Sequence, residues 1–256
     1  MFKAIRISIL LFILFFVAVG TWLAQSRSTD WNNSLWVKIY PINADGSSIV
    51  DEYVARLDVD DFTDIEEFVA REAQRYGKTL QQPVRVELGR LIREQPPSIG
   101  PDSNVLDVML WSLKMRWWAS SKAGDQDRIT PDVRIFVRYH SPDQGFVLEN
   151  SVGLQKGMVG VVNARASRRH AGGNSVIIAH EFMHTLGATD KYELGTGQPL
   201  APDGLAEPER DPLYPQRWAE IMGGRIPLAA NDAVIPKSLR FTVVGPATAQ
   251  EIGLTD

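Results

Sequence analysis

Residues 174–190 read NSVIIAHEFMHTLGATD. Gly172 and Gly173 break the chain ahead of this stretch, and Asn174 or Ser175 can cap the helix that follows. Val176, Ile177, Ala179, Phe182, Met183 and Leu186 give that helix its apolar cover. His180 and His184 are four apart, so they share one face and both rings reach a single ion. Glu181 stands beside the first histidine, where a carboxylate can hold and deprotonate a water without being a ligand. Two neutral imidazoles and an oxygen suit zinc, and a catalytic zinc keeps one position open. Gly187 is free to turn left-handed and end the helix, so that the chain folds back and brings Asp190 to the metal. The plain alternative is a helix whose histidines only satisfy core hydrogen bonds. For Asp190 the alternative is a surface loop pair with Lys191, with Glu193, then Glu207 and Glu209, as substitute ligands.

The run resembles the metzincin metallopeptidases, whose extended motif is HExxHxxGxxH. His180, Glu181, His184 and Gly187 are in register, and Asp190 stands where most of that clan has a third histidine. The Asp form is similar to snapalysin-type peptidases, and HTLGATDKY is similar to the HxxGxxDxY run of immune-inhibitor-A-like peptidases. A thermolysin-like spacing fits less well, because position 204, where its third-ligand Glu would fall, is a glycine. The resemblance implies zinc on His180, His184 and Asp190, Glu181 as general base, and a peptide or protein substrate. It also asks for a methionine turn beneath the metal, and AEIMGG at 219–224 supplies Met222. Tyr192 is placed either to donate to an oxyanion or simply to anchor its loop. The implied architecture is α+β and two-lobed. An upper lobe (31–187) holds a twisted mixed sheet, backing helices and the active-site helix. A small irregular lower lobe (188–256) holds the methionine turn and a terminal helix. Substrate would add as a strand to the sheet's edge, with Gly157–Ala164 as the candidate.

The rest of the chain is compatible with this. Its 256 residues, 44% of them hydrophobic, suffice for one sizeable core. A net charge of −4 gives no reason to expect nucleic acid as a partner, which would call for a basic face. With no cysteine there is neither a disulfide framework nor a thiolate zinc site, so any metal falls to His, Asp or Glu. His140, at a strand end, and His170, in the basic run RASRRH, read as surface residues. Oligomeric state leaves no mark on the sequence.

Alternation predicts strands at Leu35–Ile42, Val84–Ile92, Val133–Tyr139 and Gly157–Ala164. Helical spacing predicts a helix capped by Asp64, with Ile65, Phe68, Val69 and Ala73 inward, ending at Gly77. A second helix is expected over Val105–Ser120, with Leu106, Met109, Leu110, Leu113 and Trp117 on its inner side. Thr196–Pro215, with five prolines, reads as a long irregular segment, and a short helix begun by Pro246 closes the chain near Gly253. At the other end, Lys3 and Arg6 precede an apolar run from Ile7 to Ala24. An uncleaved signal-anchor is expected over residues 1–30, a transmembrane helix that places the domain in a periplasm or its equivalent. Cleavage near Ala18-Val19-Gly20 would instead release it as a secreted protein. Two rival functions stay open: a non-catalytic zinc-stabilised binding or assembly module, and a zinc amidase acting on cell-wall peptides.

Overall fold

The computed structural model describes residues 29–100, 104–123, 130–142, 152–154 and 158–255, together with Arg6 and Phe12. β1 (Leu35–Asn43) is the strand on which the sheet is assembled. Leu35, Val37 and Ile39 enter a core on one face, and Tyr40 and Ile42 enter a smaller one on the other. Burial on both faces is what a near-continuous apolar strand in a parallel sheet requires. β2 (Val84–Leu88) and β3 (Val133–His140) pair with β1 in parallel, setting Val37 opposite both Val86 and Val133. β5 (Val159–Arg165) pairs in parallel with β3, and β4 (Val152–Leu154) closes that side antiparallel to β5. The order is β2-β1-β3-β5-β4. At this coarse level the expected α+β class holds: a central, mostly parallel sheet with helices against it. The Gly157–Ala164 strand, however, is interior rather than an edge, and the edge on that side is β4.

α1 (Ser48–Val54) is capped by Ser47, and α2 (Thr63–Arg75) buries Ile65, Phe68, Val69 and Ala73 as expected. Asp64 does not cap α2. A 3-10 turn (Val59–Phe62), capped by Asp58, runs directly into the helix and leaves Asp64 inside its first turn. Gly77 takes a φ of 80° just beyond the helix end, a conformation that favours glycine.

The inner face predicted for the second helix is wrong. α3 (Val105–Ala123) lies on the opposite side of the sheet from α1 and α2, and it buries Trp111, Met115, Trp118 and Ala119 against Tyr40 and Phe136. Leu106, Met109, Leu110, Leu113 and Trp117 are instead exposed, Trp117 by 74%. Apolar residues surround this helix, so spacing alone does not choose a face. Truncating Met115 to Ala should therefore cost about 2–5 kcal/mol, whereas Leu113→Glu should change stability by no more than about 0.5 kcal/mol. Denaturant unfolding of both variants checks the assignment.

α4 (Ala171–Leu186) begins at least four residues earlier than its sequence suggests, with Gly172 and Gly173 inside it. A Cβ on Gly172 would lie 2.5 Å from the Lys237 carbonyl, so this glycine permits close packing and does not break the helix. Asn174 is not the cap. Its side chain pairs with the backbone of Arg165, accepting from N at 3.1 Å and donating to O at 2.9 Å, and so pins α4 to the end of β5.

Residues 188–255 carry little regular structure. β6 (Ala219–Glu220) pairs with β9 (Thr242–Val243), β7 (Ile226–Ala229) forms a hairpin with β8 (Asp232–Val234), and α5 (Pro246–Glu251) closes the fold. Ile221, Met222, Val244, Ala249 and Ile252 share the main core with the sheet and α4. Arg71 and Arg75 of α2 donate to the carbonyls of Leu239, Thr242 and Val244, and the Trp31 indole donates to Ile252.

The expected N-terminal transmembrane helix requires correction. Among the described residues no helix is long and apolar enough to cross a membrane, and the extracytoplasmic placement that rested on such an anchor loses its support. The run Ile7–Ala24 lies, Phe12 apart, outside the described residues.

Candidate metal and catalytic site

α4 brings the His180 and His184 rings edge-to-face with centroids 4.7 Å apart. Gly187, at a φ of 114°, then stops the helix: its N–H bonds to the His184 carbonyl and the Ala188 N–H bonds back to Met183. The reversal carries Asp190 back to the histidines. Its Oδ1 lies 3.1 Å from Nε2 of His180 and 3.1 Å from Nε2 of His184. Glu193, Glu207 and Glu209 are engaged elsewhere or exposed: Glu193 accepts from Thr196, and Glu207 pairs with Arg210 and Arg217. Lys191 is not a surface residue. It is buried and bonds to Glu251 at 2.7 Å, which anchors the returning loop to α5.

Both imidazoles are oriented by carbonyl oxygens. Nδ1 of His180 lies 2.9 Å from the Ile221 carbonyl, and Nδ1 of His184 lies 2.8 Å from that of Ala188. A carbonyl only accepts, so each Nδ1 carries a proton, and a neutral ring held this way turns its lone pair outward at Nε2. Two such lone pairs and a carboxylate oxygen then meet at one point. In a tetrahedral zinc site with bonds of about 2.05 Å, ligand atoms stand roughly 3.3 Å apart, so the 3.1 Å separations fit that ion. Burial alone would raise the Asp190 pKa, but hydrogen bonds and charge from His180 and His184 outweigh it and hold the carboxyl well below its usual range. At His184 burial works toward a lower pKa, and Asp190 with Glu181 reverses it to a raised one.

Glu181 faces the same point. One of its carboxylate oxygens and one ring nitrogen of each imidazole lie within 4.8 Å of one another. The residue is only 4% exposed, and among the described residues its Oε2 has no hydrogen-bond partner. Burial raises its pKa, only partly offset by the two histidines. A buried carboxylate oxygen left without a protein donor is costly unless a ligand or water meets it. At Tyr192 burial, followed by the charges of Asp190 and Glu181, pushes the hydroxyl up to about 12. Its ring lies 6.2 Å from that of His180. A cavity of about 310 Å³ opens beside the site, lined by His180, Glu181, Tyr192, Ile177, Ile221 and Arg225 among others.

Met222 is fully buried in the turn after β6, and its carbonyl accepts from Lys191 N at 3.0 Å. That turn also supplies the Ile221 carbonyl that holds His180. Its own fixed point, Glu220, was missed by sequence reasoning. This buried carboxylate accepts from Met222 N, Gly223 N, Gly245 N and Thr248 Oγ1 at 2.6–2.9 Å. An acid between Ala219 and Ile221 was its only trace in the sequence. His140 bonds to Asn163 on β5, and His170 precedes α4 by about 15 Å of helix from His180, so neither joins the site. No known family model matches the chain, and a search of curated proteins finds no match.

Proposed function

We propose that this protein is a zinc-dependent peptidase of metzincin-like build. The observation that carries the reading is the meeting of His180 Nε2, His184 Nε2 and Asp190 Oδ1 beside Glu181, whose buried Oε2 has no partner among the described residues. His180, His184 and Asp190 would hold the ion. Zinc bound there would supply Lewis acidity, making water nucleophilic near neutral pH and polarising a scissile carbonyl.

The chain's own residues do the rest. Glu181, whose burial raises its basicity, takes the proton from the attacking water and returns it to the leaving amine. Tyr192, which stays protonated across the neutral range, offers its hydroxyl to the developing oxyanion. The turn bearing Met222 keeps the Ile221 carbonyl on His180 Nδ1 and so fixes the tautomer that ligation requires. An extended substrate backbone adds to β4, the edge strand that packs above α4.

Metal analysis of the full chain tests the reading. Wild type should retain about one zinc per chain, His184→Ala none, and Asp190→Ala should bind at least 10- to 100-fold more weakly. Unchanged zinc in Asp190→Ala would remove the metzincin-like ligand set. Unchanged zinc in both variants would remove the site altogether.

A further inference from the structure

The cavity beside Glu181 has an uneven lining. Val176, Ile177, Ile221 and Ile235 make its walls apolar, and one guanidinium, that of Arg225, interrupts them. The residue is half-buried, and among the described residues its side chain has no hydrogen-bond or ion-pair partner. Other half-buried arginines, Arg138, Arg165 and Arg210, are engaged with Asn163, the Pro142 carbonyl and Glu207. Arg225 is also placed by its surroundings. Its Nη2, Cζ and Nε lie 2.9–3.3 Å from where a Cβ on Gly197 would stand, so the guanidinium lies flat across this glycine. Gly197 has a φ of 67°, which favours glycine independently. The sequence thus leaves open the strip of backbone over which the cation extends into the cavity.

A planar guanidinium at an apolar cavity wall suits a carboxylate, which it can meet with two parallel N–H···O bonds. The apolar walls suit the methylenes leading to that group, and they lower the local dielectric in which the pair forms. We propose that this cavity is the specificity pocket of the site and that it selects a substrate residue bearing a carboxylate, with Arg225 as the specificity-determining residue. The carboxylate is either the side chain of an Asp or Glu flanking the scissile bond or the free C-terminus of a short peptide. The inference rests on the zinc-peptidase reading above.

Peptide hydroxamates, which anchor on a bound zinc and need no turnover, test it by calorimetric affinity on the zinc-loaded full chain. The probes carry Glu, Gln, Leu or Lys next to the hydroxamate, each with a free or an amidated C-terminus. A carboxylate in the pocket should bind roughly tenfold or more tighter than its neutral counterpart. Preference for Glu among amidated probes identifies a side-chain carboxylate. Preference for the free acid whatever the side chain identifies a terminus. Arg225→Ala should level the series while keeping zinc, and Arg225→Glu should turn the preference toward Lys. Equal affinities across the wild-type series, or an acidic preference that survives Arg225→Ala, would overturn the inference and leave the metal site standing. Failure of every probe to bind the zinc-loaded chain would overturn the inference and the peptidase reading together.

Discussion

Glu181→Gln, loaded with zinc, should lose peptide hydrolysis by about 10²–10⁴-fold while binding the metal as wild type does. The two effects separate because Glu181 is close to the ligand atoms without being needed as one. The imidazoles are oriented by the carbonyls of Ile221 and Ala188 and completed by Asp190, none of which depends on the Glu181 carboxylate. The amide keeps the side chain's shape and removes its ability to accept a proton. The fold should not suffer either. Among the described residues Glu181 Oε2 receives no hydrogen bond that the amide would forfeit, and a neutral group is easier to bury at a position 4% exposed. Zinc content, melting temperature and turnover of one preparation check the three statements together. Hydrolysis at the wild-type rate would remove Glu181 as the base. Loss of zinc along with activity would make it a ligand.

The motif was legible because it is local. Four residues of helix set the spacing of His180 and His184, and one glycine sets the reversal that returns Asp190, so sequence distance and spatial distance nearly coincide. The strands were legible for the same reason, since alternation is a property of adjacent residues. Long-range choices were not. On α3 the apolar positions go round the helix, and which of them meets Phe136 is decided by the sheet; Met115 and Trp118 are buried and Leu113 and Trp117 are not. The two glycines before the motif look like a stop signal, yet the nearby carbonyl of Lys237 is what requires Gly172. The edge strand β4 has three residues, too few for alternation to show. Glu220 and Arg225 were hidden because their roles come from partners or walls elsewhere in the chain: Gly245 and Thr248 for one, Gly197 and Ile177 for the other.

Glu220→Gln tests the most demanding of those long-range arrangements, and it should destabilise the protein by about 2–4 kcal/mol despite removing a buried acid. Two effects oppose each other. Burial penalises the carboxylate and raises its pKa, which donors from Gly245, Thr248 and Gly223 only partly offset, so a neutral side chain relieves a cost. Against this stands the donor count. Three of the four groups facing Glu220 are backbone N–H groups, which cannot reverse, and only the Thr248 hydroxyl can rotate to accept. A carboxylic acid tolerates that set even when protonated, because an O–H directed at Thr248 leaves lone pairs for Gly245. The amide nitrogen of glutamine has none. Whichever way the amide turns, an NH₂ group faces at least one backbone N–H at a distance of 2.6–2.9 Å. The donor clash should win, because the charge relieved was already met by four hydrogen bonds. A fall in melting temperature on the order of 10 °C is expected, against a smaller loss for Thr248→Val, which removes one bond and clashes with nothing. Zinc affinity should fall as well, by roughly 10- to 100-fold, since the turn held by Glu220 carries the carbonyl that orients His180. A Glu220→Gln protein as stable as wild type would mean that neutralising the charge matters more than matching the donors. Unaltered zinc affinity in a destabilised variant would mean that the turn does not position His180.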